Sequence, residues 1–258
     1  MTRIGTSPYW SRCYFCGDVA TTEEHAPAKV FFPEVKDFPE YRDSDFTFRR
    51  NLLVVPSCTQ HNCAYSKDDE LVAYQLLTVI HDHPIAARQF ETKAWRALNR
   101  PSSSAFQTAF LKTFEIRSLG VGDVNTGVIR FDRVRFDSVM TRIARALYYR
   151  RMGEPLAIVD GVWSPDFRLA DTLRPSSDDL RMEERVDELS WSMGWFGHPS
   201  VFQYQAHVDH PSGGVLFKLL FYDHFRVRIV GGRRPASSPW VPRMPGIDDL
   251  CGAPCEPL

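Results

Sequence analysis

Four residues constrain the N-terminal part of this chain more than anything else in it. Cys13 and Cys16 stand three positions apart, and far along the chain Cys58 and His61 repeat that spacing. A Cys-x-x-Cys turn places two thiolates on one tetrahedral ion, and a second pair at the same spacing can close its shell. Whatever lies between the pairs must then bring residue 58 back to residue 13. The run Asn51-Leu-Leu-Val-Val-Pro56 reads as the strand that does so. A rival set ends at Cys63 instead of His61 and puts Asn62 inside the ligand loop. The set Cys13, Cys16, Cys58 and His61 is favoured, which leaves Cys63 a free thiol beside the site.

Such an ion would be structural zinc. Four protein ligands leave no open position for water, so the metal itself cannot activate a nucleophile. Its binding contributes on the order of 10 kcal/mol to a small ribbon with little core of its own. The cysteine usage agrees: six cysteines, mostly in close pairs, favour metal over disulfides. No apolar run of the length that spans a membrane occurs, and the first ten residues lack an apolar signal core. A cytoplasmic protein without a membrane partner is therefore expected.

Four further residues sit in a telling order around the pairs. Glu24-His25 is followed by Pro27, and Asn62 stands directly behind the last ligand. With the Cys-x-x-Cys turn, the strand and the stretch Asn62-Cys-Ala-Tyr-Ser-Lys-Asp-Asp-Glu70, this order resembles the HNH endonuclease superfamily in its zinc-ribbon-supported form. The resemblance covers roughly residues 13–75, and it departs from the family pattern in having histidine as fourth ligand. It implies a ββα-metal module with His25 as general base, Glu24 as a metal ligand, and Asn62 either binding that metal or bracing the loop that carries the histidine. The helix opening at Ser66 has no histidine, so Asp69 or Glu70 would be the remaining ligand; equally, Ser66 and Asp69 read as a capping box. The chemistry is coherent. Histidine titrates near neutrality and suits a base, and acidic and amide oxygens suit Mg²⁺ or Mn²⁺, which would stabilise charge on a phosphodiester. The resemblance thus implies hydrolysis of nucleic acid, DNA foremost. The alternative is a non-catalytic zinc module that binds nucleic acid or a protein.

Over the whole chain, 258 residues with 43% hydrophobic and 24% charged side chains describe an ordinary globular protein. The net charge of −1 exerts no overall pull on nucleic acid, although Arg130 to Arg151 carries seven arginines against Asp132 and Asp137. That patch reads either as a phosphate-holding face or as a solvated helix surface. The expected class is α+β: an HNH-like domain with a helical extension over 1–120, then an α+β domain with an antiparallel sheet over 125–258. Helices are expected from Asp68 to His81, Pro84 to Leu98, Ala105 to Ile116, Arg133 to Met152 and Ser177 to Trp191. Strands are expected at Val128–Phe131, Pro155–Trp163, Ser200–Val208, Val215–Tyr222 and Phe225–Val230. The histidines His81, His83, His207 and His210 fall at a helix end and a turn and read as capping and hairpin residues; Cys251 and Cys255 lie in a Gly/Pro-rich tail.

Overall fold

The computed structural model describes residues 11–49, 52–100, 104–118, 125–164, 166, 184, 186, 194–209 and 213–232. Its first unit is a short antiparallel hairpin. Strand β1 (Thr22–Ala26) pairs with β2 (Leu53–Ser57), Glu24 opposite Val55 and His25 opposite Val54. Between them run three 3₁₀ turns, Lys29–Phe31, Val35–Asp37 and Pro39–Tyr41, which the sequence patterns did not reveal. They fold an aromatic segment onto itself: Phe38 and Phe48 lie 4.7 Å apart, and Tyr41 stacks on Phe46 at 4.2 Å. After β2 come α1 (Thr59–Cys63) and α2 (Ser66–Val79).

The next helical stretch is continuous but not uniform. It comprises α3 (Pro84–Gln89), a π-helical turn over Phe90–Ala94, and α4 (Trp95–Leu98). The expected third helix stops early. Helix α5 covers Ser104–Leu111, and Phe114–Ser118 is a strand, β3, paired with β4 (Asn125–Ile129). The helical period reads through Phe114 and Ile116 because a five-residue strand offers too few alternations to announce itself.

Helix α6 (Arg133–Met152) follows as expected. Asp132 caps it by accepting a bond from the Arg135 N–H, and Gly153 ends it in the left-handed conformation at φ 74°. Strand β5 (Ile158–Trp163) then forms one edge of a five-stranded antiparallel sheet with β6 (Phe196–His198), β7 (Phe202–Asp209), β8 (Gly214–Phe221) and β9 (Phe225–Gly232), in the order β5-β9-β8-β7-β6. The expected meander is there, extended at one edge by β6. Between β8 and β9 a tight turn puts Tyr222 and Asp223 at φ 51° and 54°. Tyrosine is unfavourable there. Its buried hydroxyl compensates, donating to the Phe31 carbonyl at 2.6 Å and lying 2.8 Å from Gln89 Oε1.

Two apolar clusters hold the molecule. The large one runs from Phe31 and Phe48 through Leu76 and Leu77 to Phe136, Met140, Phe217 and Ile229, so it crosses the boundary expected between residues 120 and 125. The small one joins Cys13, Tyr14, Ala26 and Val55 to Ala146 and Tyr149. Helix α6 serves both, its Phe136, Met140, Ile143 and Leu147 stripe facing the large cluster. The expected helix over 177–191 and the tail cysteines lie outside the described residues, apart from helical Glu184 and Val186. Among the described residues no helix is long and apolar enough to cross a membrane.

Candidate metal centre and the histidine beside it

The ligand loop is built by backbone geometry. The Gly17 N–H donates to the Cys13 carbonyl at 2.9 Å and Gly17 takes φ 79°, which closes the Cys-x-x-Cys turn. The Tyr14 N–H then donates to the Pro56 carbonyl at 2.9 Å and docks that turn on β2. Cys58 sits at the N-cap of α1, whose first turn carries His61 inward, 4% exposed. The four ligand atoms of Cys13, Cys16, Cys58 and His61 all lie within 4.8 Å of one another, and this group could hold a metal ion. His61 Nδ1 is 3.0 Å from Cys58 Sγ and 3.9 Å from Cys13 Sγ. Such spacing, with soft sulfur and imidazole donors, suits tetrahedral zinc. Cys63 is exposed and outside the group, so the set ends at His61, as the register of Asn62 and the Ser66–Glu70 stretch in the HNH resemblance favoured.

The electrostatics favour ligation at Cys13 and His61 and oppose a thiolate at Cys16. Burial opposes a thiolate at Cys13, yet the backbone N–H groups of Cys16, Cys58 and Phe15 outweigh it and bring Cys13 below the ordinary thiol value. Burial and the neighbouring Cys13 thiolate push Cys16 up to about 12. Burial and then the Arg145 charge lower His61, which favours a neutral imidazole with a lone pair to give. Phe15 stacks on the His61 ring at 4.4 Å, and Arg145 lies over Phe15 at 4.2 Å.

On the hairpin, strand alternation separates Glu24 from His25. Glu24 turns inward, 8% exposed, accepting from Ser57 Oγ at 3.4 Å and from Arg142 Nη1 at 3.2 Å. Asp69, reaching in from α2, is bound by the same guanidinium, which also lies over the Tyr65 ring at 4.5 Å. One buried cation thus faces two buried carboxyls. Burial pushes Glu24 up to about 7 against the pull of Arg142, and it raises Asp69 in the same way. Glu70 accepts from the Tyr74 hydroxyl at 3.1 Å. The Asn62 amide donates to Thr22 Oγ1 at 3.1 Å and to the Glu23 carbonyl at 3.3 Å, tying α1 to β1.

The oxygen donors expected for Mg²⁺ or Mn²⁺ are therefore not gathered. Glu24 and Asp69 neutralise Arg142, Glu70 is engaged by Tyr74, and Asn62 braces a strand. Among the described residues the Cys/His group alone has the spacing of a metal site.

His25 takes the opposite face of β1, half-buried, and its ring accepts or donates no hydrogen bond among the described residues. Burial lowers its pKa, Lys29 and Arg49 lower it further, and Glu23 partly offsets them. The lowered pKa favours the neutral imidazole, the form able to take a proton. Sequence reasoning missed Arg142, Tyr14, Lys29 and Arg49. Arg142 and Glu24 meet from 118 residues apart, a separation that no local spacing reveals. It also turns Arg142 and Arg145 inward, out of any phosphate-holding face on α6. Compared with protein-family models, with curated proteins and with solved structures, the chain matches none.

Proposed function

We propose that this protein is a hydrolase of phosphodiester bonds in nucleic acid, DNA foremost, of the HNH endonuclease type, with His25 as the general base. The observation that carries the reading is the placing of His25: it is half-buried on the face of β1 opposite Glu24 and makes no hydrogen bond among the described residues, and burial, then Lys29, with Arg49 adding to them, lower its pKa. A base must be unprotonated and within reach of an attacking water, and cations next to it favour an anionic substrate. The order of hairpin, ligand loop and helix supports the same reading, as does Asn62, whose two bonds brace the strand that carries the histidine. His25 would take the proton from water, while Lys29 and Arg49 would offset charge gathering on the phosphate. The Cys/His site would act only by holding β2 and α1 against the N-terminal loop.

Supercoiled plasmid incubated with Mg²⁺ or Mn²⁺, with EDTA as control, tests this. Wild type should nick, and His25→Ala should lose at least about a hundredfold in rate with its metal content and melting temperature unchanged. The rising limb of the pH–rate profile should have its midpoint below the ordinary histidine value of 6.5, because the base form is required and its pKa is lowered. Equal cutting by His25→Ala would refute the assignment. One observation favours a second reading, a non-catalytic zinc module that binds nucleic acid or a protein: Glu24 and Asp69 are committed to Arg142. Nucleic-acid affinity without cleavage under any divalent ion would select it.

A further inference from the structure

The 3₁₀ turn Val35–Asp37 and the segment leading into β2 line an open pocket of about 330 Å³, with Pro33, Glu34, Val35, Lys36, Thr47 and Arg49 at its wall. Its acids are already neutralised. Glu34 lies 2.6 Å from Lys36 Nζ and 3.4 Å from Arg96, and Asp37 pairs with Arg96 at 2.7 Å. Among the lining groups Lys36 answers Glu34, which leaves the charge of Arg49 in excess, and Lys93 stands outside the lining. Lys93 directs its ammonium to the carbonyls of Lys29, Val30 and Phe32 at 3.2, 3.2 and 2.9 Å, so its charge is fixed in place without an acid spent on it. Arg49 is the group least accounted for. Its side chain makes no hydrogen bond or ion pair among the described residues, and its Nε is buried with no acceptor. A buried donor left unmade is costly, and a guanidinium fork matches phosphate oxygens in geometry. Thr47 adds a hydroxyl: its Oγ1 accepts from the Arg49 N–H at 3.1 Å, which leaves its own proton to give outward.

We propose that this pocket is a phosphate subsite, with Arg49 as its anchor and Thr47 and Lys36 at its wall, which holds a backbone phosphate of the nucleic acid presented to His25. It rests on the reading of that face as a nucleic-acid site. Arg49 would touch the phosphate directly. It stands in the segment that enters β2, its carbonyl accepting from the Leu52 N–H at 3.1 Å, and β2 pairs Leu53 and Val54 with Ala26 and His25.

The test has two arms on the full chain. In the first, the ¹⁵N–¹H resonance of Arg49 Nε is followed as inorganic phosphate is added, and then a thymidine dinucleotide with a non-cleavable phosphorothioate link. A saturable shift, absent when the resonances of Arg133 and Arg226 are followed as controls, is expected. In the second, affinity for a phosphorothioate oligonucleotide is measured against salt. Arg49→Ala should weaken binding about tenfold and lower the salt slope by about one phosphate, Arg49→Lys should recover part of it, and His25→Ala should bind as wild type. Arg49-dependent binding with no cleavage by any form would remove the catalytic reading and keep the subsite. Loss of cleavage in His25→Ala with no Arg49 shift, and with an Arg49→Ala salt slope equal to wild type, would overturn the subsite and keep the catalysis. Melting temperature and metal content of Arg49→Ala, both expected to equal wild type, guard against a folding defect.

Discussion

Two faces of helix α6 meet two regions held by different physics. Toward β5 and β9 it packs Phe136, Met140 and Leu147 into a large aromatic and aliphatic cluster with Phe217, Phe221 and Ile229. Toward the hairpin its Ala146 and Tyr149 meet a small cluster of Cys13, Tyr14, Ala26 and Val55, with Phe15, Leu53 and Cys58 packed against it. The first region rests on burial at roughly 25 cal/mol per Å² of apolar surface. The second has too little apolar surface for that and depends on ligands and charges: the Cys/His group, the Glu24–Arg142–Asp69 triad, and the Tyr149 hydroxyl donating to the Arg12 carbonyl at 3.0 Å. The lesson is that α6 joins an apolar body to a polar hairpin region that carries a possible metal site. The catalytic candidate, His25, sits on that hairpin.

This contrast can be broken from the metal side first. Chelation with 1,10-phenanthroline should unfold the hairpin selectively, because binding on the order of 10 kcal/mol is removed from a region with little else. Hydrogen exchange checks it: amides of β1, β2 and α1 should lose protection while those of β7, β8 and β9 keep theirs. Uniform loss across both regions would show a single cooperative unit instead.

The next largest effect belongs to the triad. Arg142→Met should destabilise by about 3–5 kcal/mol, since it strands two buried carboxyls. Adding Glu24→Gln and Asp69→Asn should recover most of that, as urea titration of the three forms would measure. A small effect of Arg142→Met alone would mean that water reaches the triad and that the polar joint is weak.

A change of similar or smaller size marks the apolar region. Leu76→Ala, at a fully buried position in α2, should cost about 2–5 kcal/mol. It should leave the metal content at its wild-type value. Metal lost together with Leu76 would place the two regions in one stability unit.

Much of this was legible in the sequence, unevenly. Cys13, Cys16, Cys58 and His61 were found from spacing because ligand geometry translates into chain intervals. Helix α6 was found to its last residue, because its apolar stripe is regular and Gly153 ends it. The β7–β8–β9 meander followed from alternation and turn residues. The 3₁₀ turns between β1 and β2 were not, since three-residue helices leave no period to read. Nor was the role of Glu24: adjacent carboxylate and imidazole read as one site, whereas a strand sends neighbours to opposite faces and the inner one needed a cation from α6. Gly120, Gly122 and Gly127 read as a domain boundary, and one apolar cluster draws residues from both sides of it.

The most direct test of the account is the number of zinc ions per chain, measured by mass spectrometry on wild type, His61→Ala and Cys63→Ala. One ion in wild type and in Cys63→Ala, with none or a readily chelated ion in His61→Ala, is the predicted result. A metal-free wild type, or an ion lost with Cys63 and kept without His61, would contradict it.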